Sequence, residues 1–330
     1  MTRRSAPVLT LVVPCCNEQE NIAELVRQLD ILLDAMIAAG QVLAESHVLF
    51  VDDGSTDATW SAVAALHAGS PRYRGLKLSR NRGHQIALIA GLEAVEGDAA
   101  ISLDADLQDD PAAILQMVEA YLGGADVVYG VRGSRATDTA FKRGTARGYY
   151  SLLQSLGVEI VPDHADYRLL SRIALDALRG YRESNLFLRA LIPQLGFRTA
   201  TVTYDRSPRF AGTSKYPIGK MLQLAFEGIT SFSIKPLRLI LLLGLCVSVI
   251  SFALSIWAVV VAVVFHETVP GWASTVVPIY FVCGLQMLCL GVIGEYIGRI
   301  YLEAKQRPRF FVEQRLGPDR PVSKNRSATG

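Results

Sequence analysis

The chain lacks the signatures that most often assign a nucleotide-binding protein. No G-x-G-x-x-G follows its first apolar run and no G-x-x-x-x-G-K-[ST] occurs, so neither a dinucleotide-binding domain nor a P-loop is indicated. Cysteine is sparse: five residues, Cys15, Cys16, Cys246, Cys283 and Cys289, show neither metal-ligand spacing nor a disulfide framework, which fits a reducing compartment. Charge is sparse as well. Charged residues make up 19% of the chain and the net charge is only +2, too little to argue for a nucleic-acid partner. The basic stretch from Met1 to Ala6 leads into a strand-like run, so no signal peptide is expected.

What the chain has instead is apolar length. Half of its 330 residues are hydrophobic, and the excess is concentrated in two runs. Leu237 to Phe265 carries one charge, Arg238, and Thr275 to Ile297 carries one, Glu295. Each exceeds the roughly 20 residues that cross a bilayer core, so a two-helix transmembrane hairpin is expected. Lys235 and Arg238 flank the first run, Arg299, Lys305, Arg307 and Arg309 follow the second, and the link from His266 to Trp272 holds no Lys or Arg. The positive-inside rule then places both ends of the hairpin in the cytoplasm, with Trp272, Tyr280, Tyr296 and Tyr301 near the interfaces. Ahead of it, Ile218, Met221, Leu222, Ala225, Phe226 and Ile229 share one helical face, which predicts an interfacial amphipathic helix; Leu186 to Ile192 reads as a second. A helix buried under the preceding domain is the competing account. The polar tail from Gly317 to Gly330 reads as disordered.

The first half alternates short apolar runs with helical spacing. Strands are predicted over 8–13 (ended by Pro14), 47–51, 75–78, 99–103 and 126–129, with helices over about 22–36, 58–67, 85–95 and 111–122. Strict alternation of this kind predicts an α/β fold built on a doubly wound, mostly parallel sheet, whose ligands bind outside the carboxyl ends of the strands. Three polar motifs fall at those ends: Pro14-Cys15-Cys16-Asn17-Glu18, Asp52-Asp53-Gly54-Ser55-Thr56-Asp57, and Asp104-Ala105-Asp106-Leu107-Gln108-Asp109-Asp110-Pro111. Asp104 and Asp106 stand two apart, so on an extended segment they would point the same way and offer two hard oxygen ligands to Mg²⁺ or Mn²⁺ on a diphosphate. Asp53 can accept from a ribose hydroxyl or a base N–H. An Asx-type turn or helix cap is the competing account, above all for Ser55 and Asp57.

Together with Ser79-Arg80-Asn81-Arg82-Gly83-His84-Gln85, Asp166-Tyr167-Arg168-Leu169-Leu170-Ser171-Arg172 and Arg206-Ser207-Pro208-Arg209-Phe210-Ala211-Gly212-Thr213-Ser214-Lys215-Tyr216, these motifs resemble family 2 glycosyltransferases of the polyprenyl-phosphate type. That group includes dolichol-phosphate mannose synthase-like enzymes and bactoprenol glucosyltransferases. The resemblance runs to about Arg309. It implies a GT-A-type domain over 1–213, an interfacial region over 214–236, the hairpin over 237–297 and a cytoplasmic basic tail over 298–330. It implies inverting transfer of one hexose from a nucleotide sugar, UDP-glucose first, to undecaprenyl phosphate at the cytoplasmic face of the cell membrane. UDP-GlcNAc, UDP-galactose, GDP-mannose and modified arabinose donors stay open. A processive synthase is disfavoured by the missing Q-x-x-R-W.

Residue by residue, the resemblance makes Asp104 and Asp106 the metal ligands and sets Gln108 beside the diphosphate. It places Pro14, Glu18 and Asp53 around the nucleoside and Arg132 near the phosphates; Asn17 and Ser55 read as further nucleotide-sugar contacts, and His84 either touches the diphosphate or packs against the domain as a loop histidine. Asp166 matches an acidic residue proposed as base; because a phosphate monoester is already largely dianionic at neutral pH, orienting the ligands is an equal role for it, and a salt bridge to Arg168 or Arg172 would account for it structurally. Read from the residues themselves, Arg206, Arg209 and Lys215, with Ser214 beside them, form a basic cluster just upstream of the membrane segment that suits the acceptor phosphate; ordinary juxtamembrane charge attracted to anionic lipid is the competing account. Cys16 departs from the aromatic residue common before Asn-Glu. The expected partners are a nucleotide sugar, a polyprenyl phosphate and the bilayer, with homo-oligomer formation open through Gly284, Gly291, Gly294 and Gly298.

Overall fold

A computed structural model describes residues 3–133, 164–181, 183, 188–205 and 272–318, with isolated helical positions between 240 and 253. In chain order the elements are β1 (Leu9–Cys15), α1 (Gln19–Ala38), β2 (His47–Asp52), α2 (Thr59–Gly69), β3 (Tyr73–Leu78), α3 (His84–Ala94), β4 (Ala99–Ser102) and α4 (Ala113–Leu122). They continue as β5 (Val127–Arg132), β6 (His164–Ser171), α5 (Arg172–Arg179), α6 (Leu188–Gln194), β7 (Thr199–Tyr204), α7 (Trp272–Ala304) and β8 (Val312–Leu316).

The strands form one sheet in the order β7-β5-β6-β4-β1-β2-β3-β8. β1 pairs in parallel with β2 and β4, β2 with β3, and β5 with β7, as helical crossovers require. β6 is antiparallel to both β4 and β5, and β8 antiparallel to β3. The GT-A-like, mostly parallel α/β sheet is therefore present.

Side-chain alternation in β1 builds both faces of the core. Leu9, Leu11, Val13 and Cys15 pack with α1, α2 and α4, while Val12 packs with α3, α5 and α6. On that second face α3 lies so close that a Cβ on Gly91 would sit 2.4 Å from Val12 Cγ1.

Pro14 does not end β1, which runs through it to Cys15. A proline is tolerated in this central strand because β4 pairs with β1 only as far as Val12–Ser102. Leu103 N donates to Val12 O at 3.1 Å, so that edge of β1 faces β4, and two residues on β4 has ended. The missing N–H of Pro14 thus costs no ladder bond.

The reading of Leu186–Ile192 as an interfacial helix is corrected. In α6, Leu188, Ala190, Leu191 and Ile192 are all buried, packed beneath the sheet, so its apolar residues serve the core. The segment after the second apolar run also has a place in the sheet. β8 closes the β3 edge, with Trp60 Nε1 donating to Gln314 Oε1 at 2.8 Å and Lys77 3.3 Å from Glu313. Arg309 ties its approach to Glu93 at 3.0 Å and donates to Tyr181 O.

The second apolar run lies inside α7, whose Leu285–Ala304 stretch is, among the described residues, the one long and apolar enough to cross a membrane by length and composition. Residues 216–236, nearly all of the run from Leu237 to Phe265, and the tail beyond Pro318 fall outside the described residues.

At the opposite end of the sheet from the polar motifs, His47 is 4% exposed, its ring 3.3 Å from Thr10 Oγ1 and 3.1 Å from Glu45 O. Burial, with Arg74 nearby, lowers its pKa to about 4. Between that value and about 6.5 the unfolded chain binds the proton that the folded chain refuses. Stability is therefore full above pH 6.5 and falls by about 3 kcal/mol as pH drops toward 4. The thermal midpoint is expected to decline over this window, and to decline less in His47→Gln.

Candidate active site

Strand order reverses at β1, whose chain continues to β2 on one side and later to β4 on the other, so the carboxyl ends of β1 and β4 bound a crevice at a topological switch point. The β4 tip enters it as a turn rather than as a strand. β4 ends at Ser102, so Asp104 and Asp106 do not ride on an extended segment as expected. The burial of Leu103 and Ala105, with Leu107 packed against the core, leaves both carboxylates half-buried at the crevice. Leu107 has a φ of 57°, a conformation costly for a branched side chain. Asp106 Oδ1 accepts from Gln108 N at 3.2 Å, and Tyr204 Oη donates to Asp109 at 2.6 Å, holding the turn from β7.

Opposite this turn stands Asp166. The pairing of Ser102 with Arg168 brings Asp166, two residues earlier on β6, just past the end of β4, where Ser102 Oγ donates to its carbonyl at 2.5 Å. The Arg168 side chain is fully buried and donates to Asp166 Oδ1 and, at 3.4 Å, to Leu188 O. From the crevice side, Arg189 contributes Nε at 3.2 Å from Oδ1 and Nη2 at 2.9 Å from Oδ2. His84, the first residue of α3, places Nε2 3.4 Å from Asp104 Oδ1 and 3.8 Å from Asp166 Oδ2.

The two facing carboxylates are driven apart. Burial first, and then Asp109, Asp166 and Asp106, push the Asp104 pKa up to about 6, against the pull of His84. Burial works in the same direction on Asp166, but Arg168 and then Arg189 overcome it and hold that carboxyl well below the usual range. Asp166 therefore stays ionised and is a poor proton acceptor.

The β1, β2 and β3 tips are laced together. Asp53 is 2% exposed, and its two oxygens accept Arg82 N at 2.7 Å and Gly83 N at 2.8 Å. Its carboxylate is occupied in shaping the loop that leads to His84. Asn17, at φ 58°, donates its N–H to Ser55 Oγ at 3.0 Å and accepts Thr56 N at 2.8 Å through its side chain, while Ser55 Oγ donates to Asp52. Glu18 accepts from Asn21 Nδ2 at 2.5 Å, Asp57 from the hydroxyl of Thr59 at 2.6 Å, and Asn81 Nδ2 donates to Cys16 Sγ at 3.1 Å.

Arg132 ends β5. Arg172, the other partner considered for Asp166, instead binds Gly97 O and Asp176. Arg206, Arg209, Ser214 and Lys215 lie outside the described residues. Arg189 was not anticipated; its only trace in the sequence is a cation inside an apolar helix.

Among the described residues no group of three or more His, Cys, Asp or Glu forms a ready metal cage. The donor chemistry nevertheless fits a hard divalent cation. Asp104 and Asp106 supply oxygens at an open crevice, and the Asp104 pKa, raised by burial first and then by the neighbouring carboxylates, is one that a bound cation would lower. Mg²⁺ is commonly held by one or two carboxylates and completed by substrate phosphates and water.

Residues 10–179 match the model of the family described as glycosyl transferase family 2. An uncharacterized glycosyltransferase of Bacillus subtilis, YkoT, is 47% identical over 313 residues, 94% of this chain and 93% of its own length. The bactoprenol glucosyl transferase of Shigella phage SfX is 40% identical over 311 residues, 93% of this chain and 99% of its own. A prophage bactoprenol glucosyl transferase homolog of Escherichia coli is 37% identical over 310 residues, 93% and 98%.

Proposed function

The chain belongs to glycosyl transferase family 2, and on that premise we propose that it transfers one hexose, with inversion, from a nucleotide sugar to polyprenyl phosphate at the cytoplasmic face of a membrane. UDP-glucose is the donor of first choice and undecaprenyl phosphate the acceptor. Relatives named bactoprenol glucosyl transferase, matched over nearly the whole chain, support the acceptor class. The observation that carries the reading is the crevice itself: Asp104 and Asp106 on one wall face His84, Asp166 and Arg189 on the other.

In this mechanism Asp104 and Asp106 would hold Mg²⁺ or Mn²⁺, which when bound would neutralise charge developing on the leaving diphosphate. The interlaced loops around Asn17, Glu18, Asp53, Ser55 and Asn81 form the nucleoside side, with Asp53 fixing the backbone that presents His84. Gln108 and Arg132 are assigned to the diphosphate in this reading. A phosphate monoester has its second pKa near 6 and is mostly dianionic at neutral pH. Its oxygen attacks the anomeric carbon as the bond to the diphosphate breaks, and the electron pair leaves with the nucleoside diphosphate. No proton has to be removed. Asp166 accordingly acts as an ionised hydrogen-bond acceptor that orients the sugar. Arg206, Arg209, Ser214 and Lys215 receive the acceptor phosphate, Arg through bidentate contacts and Lys as a point charge.

Residues 1–213 form the catalytic domain in this reading, 214–236 an interfacial helix, 237–297 a two-span hairpin, and 298–330 a cytoplasmic tail that includes β8. The lipid chain stays in the bilayer while its phosphate reaches the crevice.

The test is transfer from a panel of labelled nucleotide sugars to undecaprenyl phosphate by purified, detergent-solubilised protein, with label counted in the organic phase. The account expects the strongest transfer from UDP-glucose and loss of transfer on chelation. Preference for GDP-mannose or UDP-GlcNAc would replace the donor, and label confined to the aqueous phase with every donor would refute the acceptor. The Asp104 pKa adds a pH signature. Protons compete with the cation below about pH 6, so the half-saturating Mg²⁺ concentration is expected to rise about tenfold per pH unit there and to be flat above about pH 7.

A further inference from the structure

Arg189 belongs to none of the motifs that assign the site, yet it engages both carboxylate oxygens of Asp166. We propose that Arg189 is a positioning residue for sugar transfer, one that fixes the orientation of the Asp166 carboxylate in the crevice; the proposal rests on the functional reading above.

The geometry is a two-sided grip. Arg168, with its side chain fully buried, reaches Asp166 from behind on Oδ1. A contact to one oxygen leaves the carboxylate able to swing about its last torsion. Arg189 removes that freedom, because Nε and Nη2 engage Oδ1 and Oδ2 separately, at 3.2 and 2.9 Å. The freedom would matter: His84 Nε2 lies 3.8 Å from Oδ2 and 3.4 Å from Asp104, so an unheld Asp166 could turn toward the imidazole and away from the substrate.

The grip has a rigid base. On either side of Arg189, Leu188 and Ala190 are buried, and Leu191 and Ile192 pack into the same core face. Leu188 O also accepts from Arg168 Nη1 at 3.4 Å. The contacts therefore close a ring from Arg168 to the α6 backbone, on to Arg189, to Asp166, and back to Arg168. The side chain of Arg189 itself keeps 39% exposure, so its loss opens no cavity, and an ion pair this accessible adds little stability.

The test is a double-variant cycle on the full-length enzyme, with wild type alongside and thermal midpoints measured throughout. Arg189→Gln is expected to lower kcat about 10²-fold, as misplacement of a substrate-orienting group does. KM values for donor and polyprenyl phosphate should stay within about threefold, since uniform binding is untouched. Arg189→Lys, which keeps the charge without the fork, should recover part of the loss. In an Asp166→Asn background, Arg189→Gln should cost almost nothing more, because its target is already gone. Independent, multiplicative losses would overturn the proposal, as would a raised KM for polyprenyl phosphate with kcat preserved, which would make Arg189 an acceptor contact. No glycolipid from the wild type would refute the functional reading itself, whereas wild-type turnover with a multiplicative cycle refutes only the role of Arg189.

Discussion

Asp106→Ala is expected to reduce sugar transfer by about 10³-fold or more, the scale seen when a preorganised stabiliser of developing charge is removed. The thermal midpoint should stay near the wild-type value. Asp106 is half-buried on a turn, and its Oδ1 contact with Gln108 N at 3.2 Å is local. The turn is held independently by the burial of Leu103 and Ala105 and by the Tyr204–Asp109 hydrogen bond. Asp104→Asn should fall nearly as far, and the two losses together should be much less than multiplicative, because both residues serve one cation. Transfer assays at saturating Mg²⁺ and Mn²⁺ check this. Retention of more than a tenth of wild-type activity in Asp106→Ala would remove the pair from the chemistry.

The second large effect is expected at a residue without a side chain. Gly54 has a φ of +67°, and a Cβ there would lie 2.6 Å from Asn81 N and 2.7 Å from Arg80 C. Those backbone atoms have no room to retreat, because Asp53 holds the next two residues of the same loop through Arg82 N and Gly83 N. Gly54→Val must therefore pry the β2 and β3 tips apart, displacing Asn81 from Cys16 and shifting the start of α3 at His84. Loss of about 10²-fold in kcat/KM is expected from misplacement on this scale. A β-branched residue in the left-handed region adds about 1–2 kcal/mol of destabilisation. Gly83→Ala is the matched control. Its φ is +91° but nothing lies within 4 Å of the added carbon, so it carries the strain without the clash. The kinetic loss should be several-fold at most. Equal losses in the two variants would show that strain, not loop contact, is what Gly54 prevents.

The first five strands and first four helices were legible because each is a short apolar run or a helically spaced one, and their observed ends lie within three residues of expectation. β1 outran its expected end at Pro14 for a reason the sequence does not display: whether a proline interrupts a strand depends on where the neighbouring strand stops. β8 was invisible because four of its five residues are exposed at a sheet edge, leaving no apolar period to detect. β7 did leave a trace, Val202 and Tyr204 buried two apart, within a run of threonines. The apolar stripe of α6 does not choose between its two accounts, since a membrane surface and a sheet face ask for the same pattern, and its packing in the core decides for the buried one.

The strand-tip carboxylates were legible from position alone. The functions of their neighbours were not, because they depend on partners distant in sequence. Asp53 spends its oxygens on a loop about 30 residues later, and Asp166 is gripped by Arg189, 23 residues away. Between a base and an orienting role for Asp166, the grip of those two guanidiniums favours the orienting role proposed above.

The most direct test of the central claim is the mass spectrum of the lipid recovered after the wild-type protein has been incubated with undecaprenyl phosphate, UDP-glucose and Mg²⁺. The account predicts one new species, the acceptor plus a single hexose, that accumulates with time, never acquires a second sugar, and is absent from the Asp106→Ala reaction. An unmodified lipid, or a ladder of products carrying two or more sugars, would contradict it.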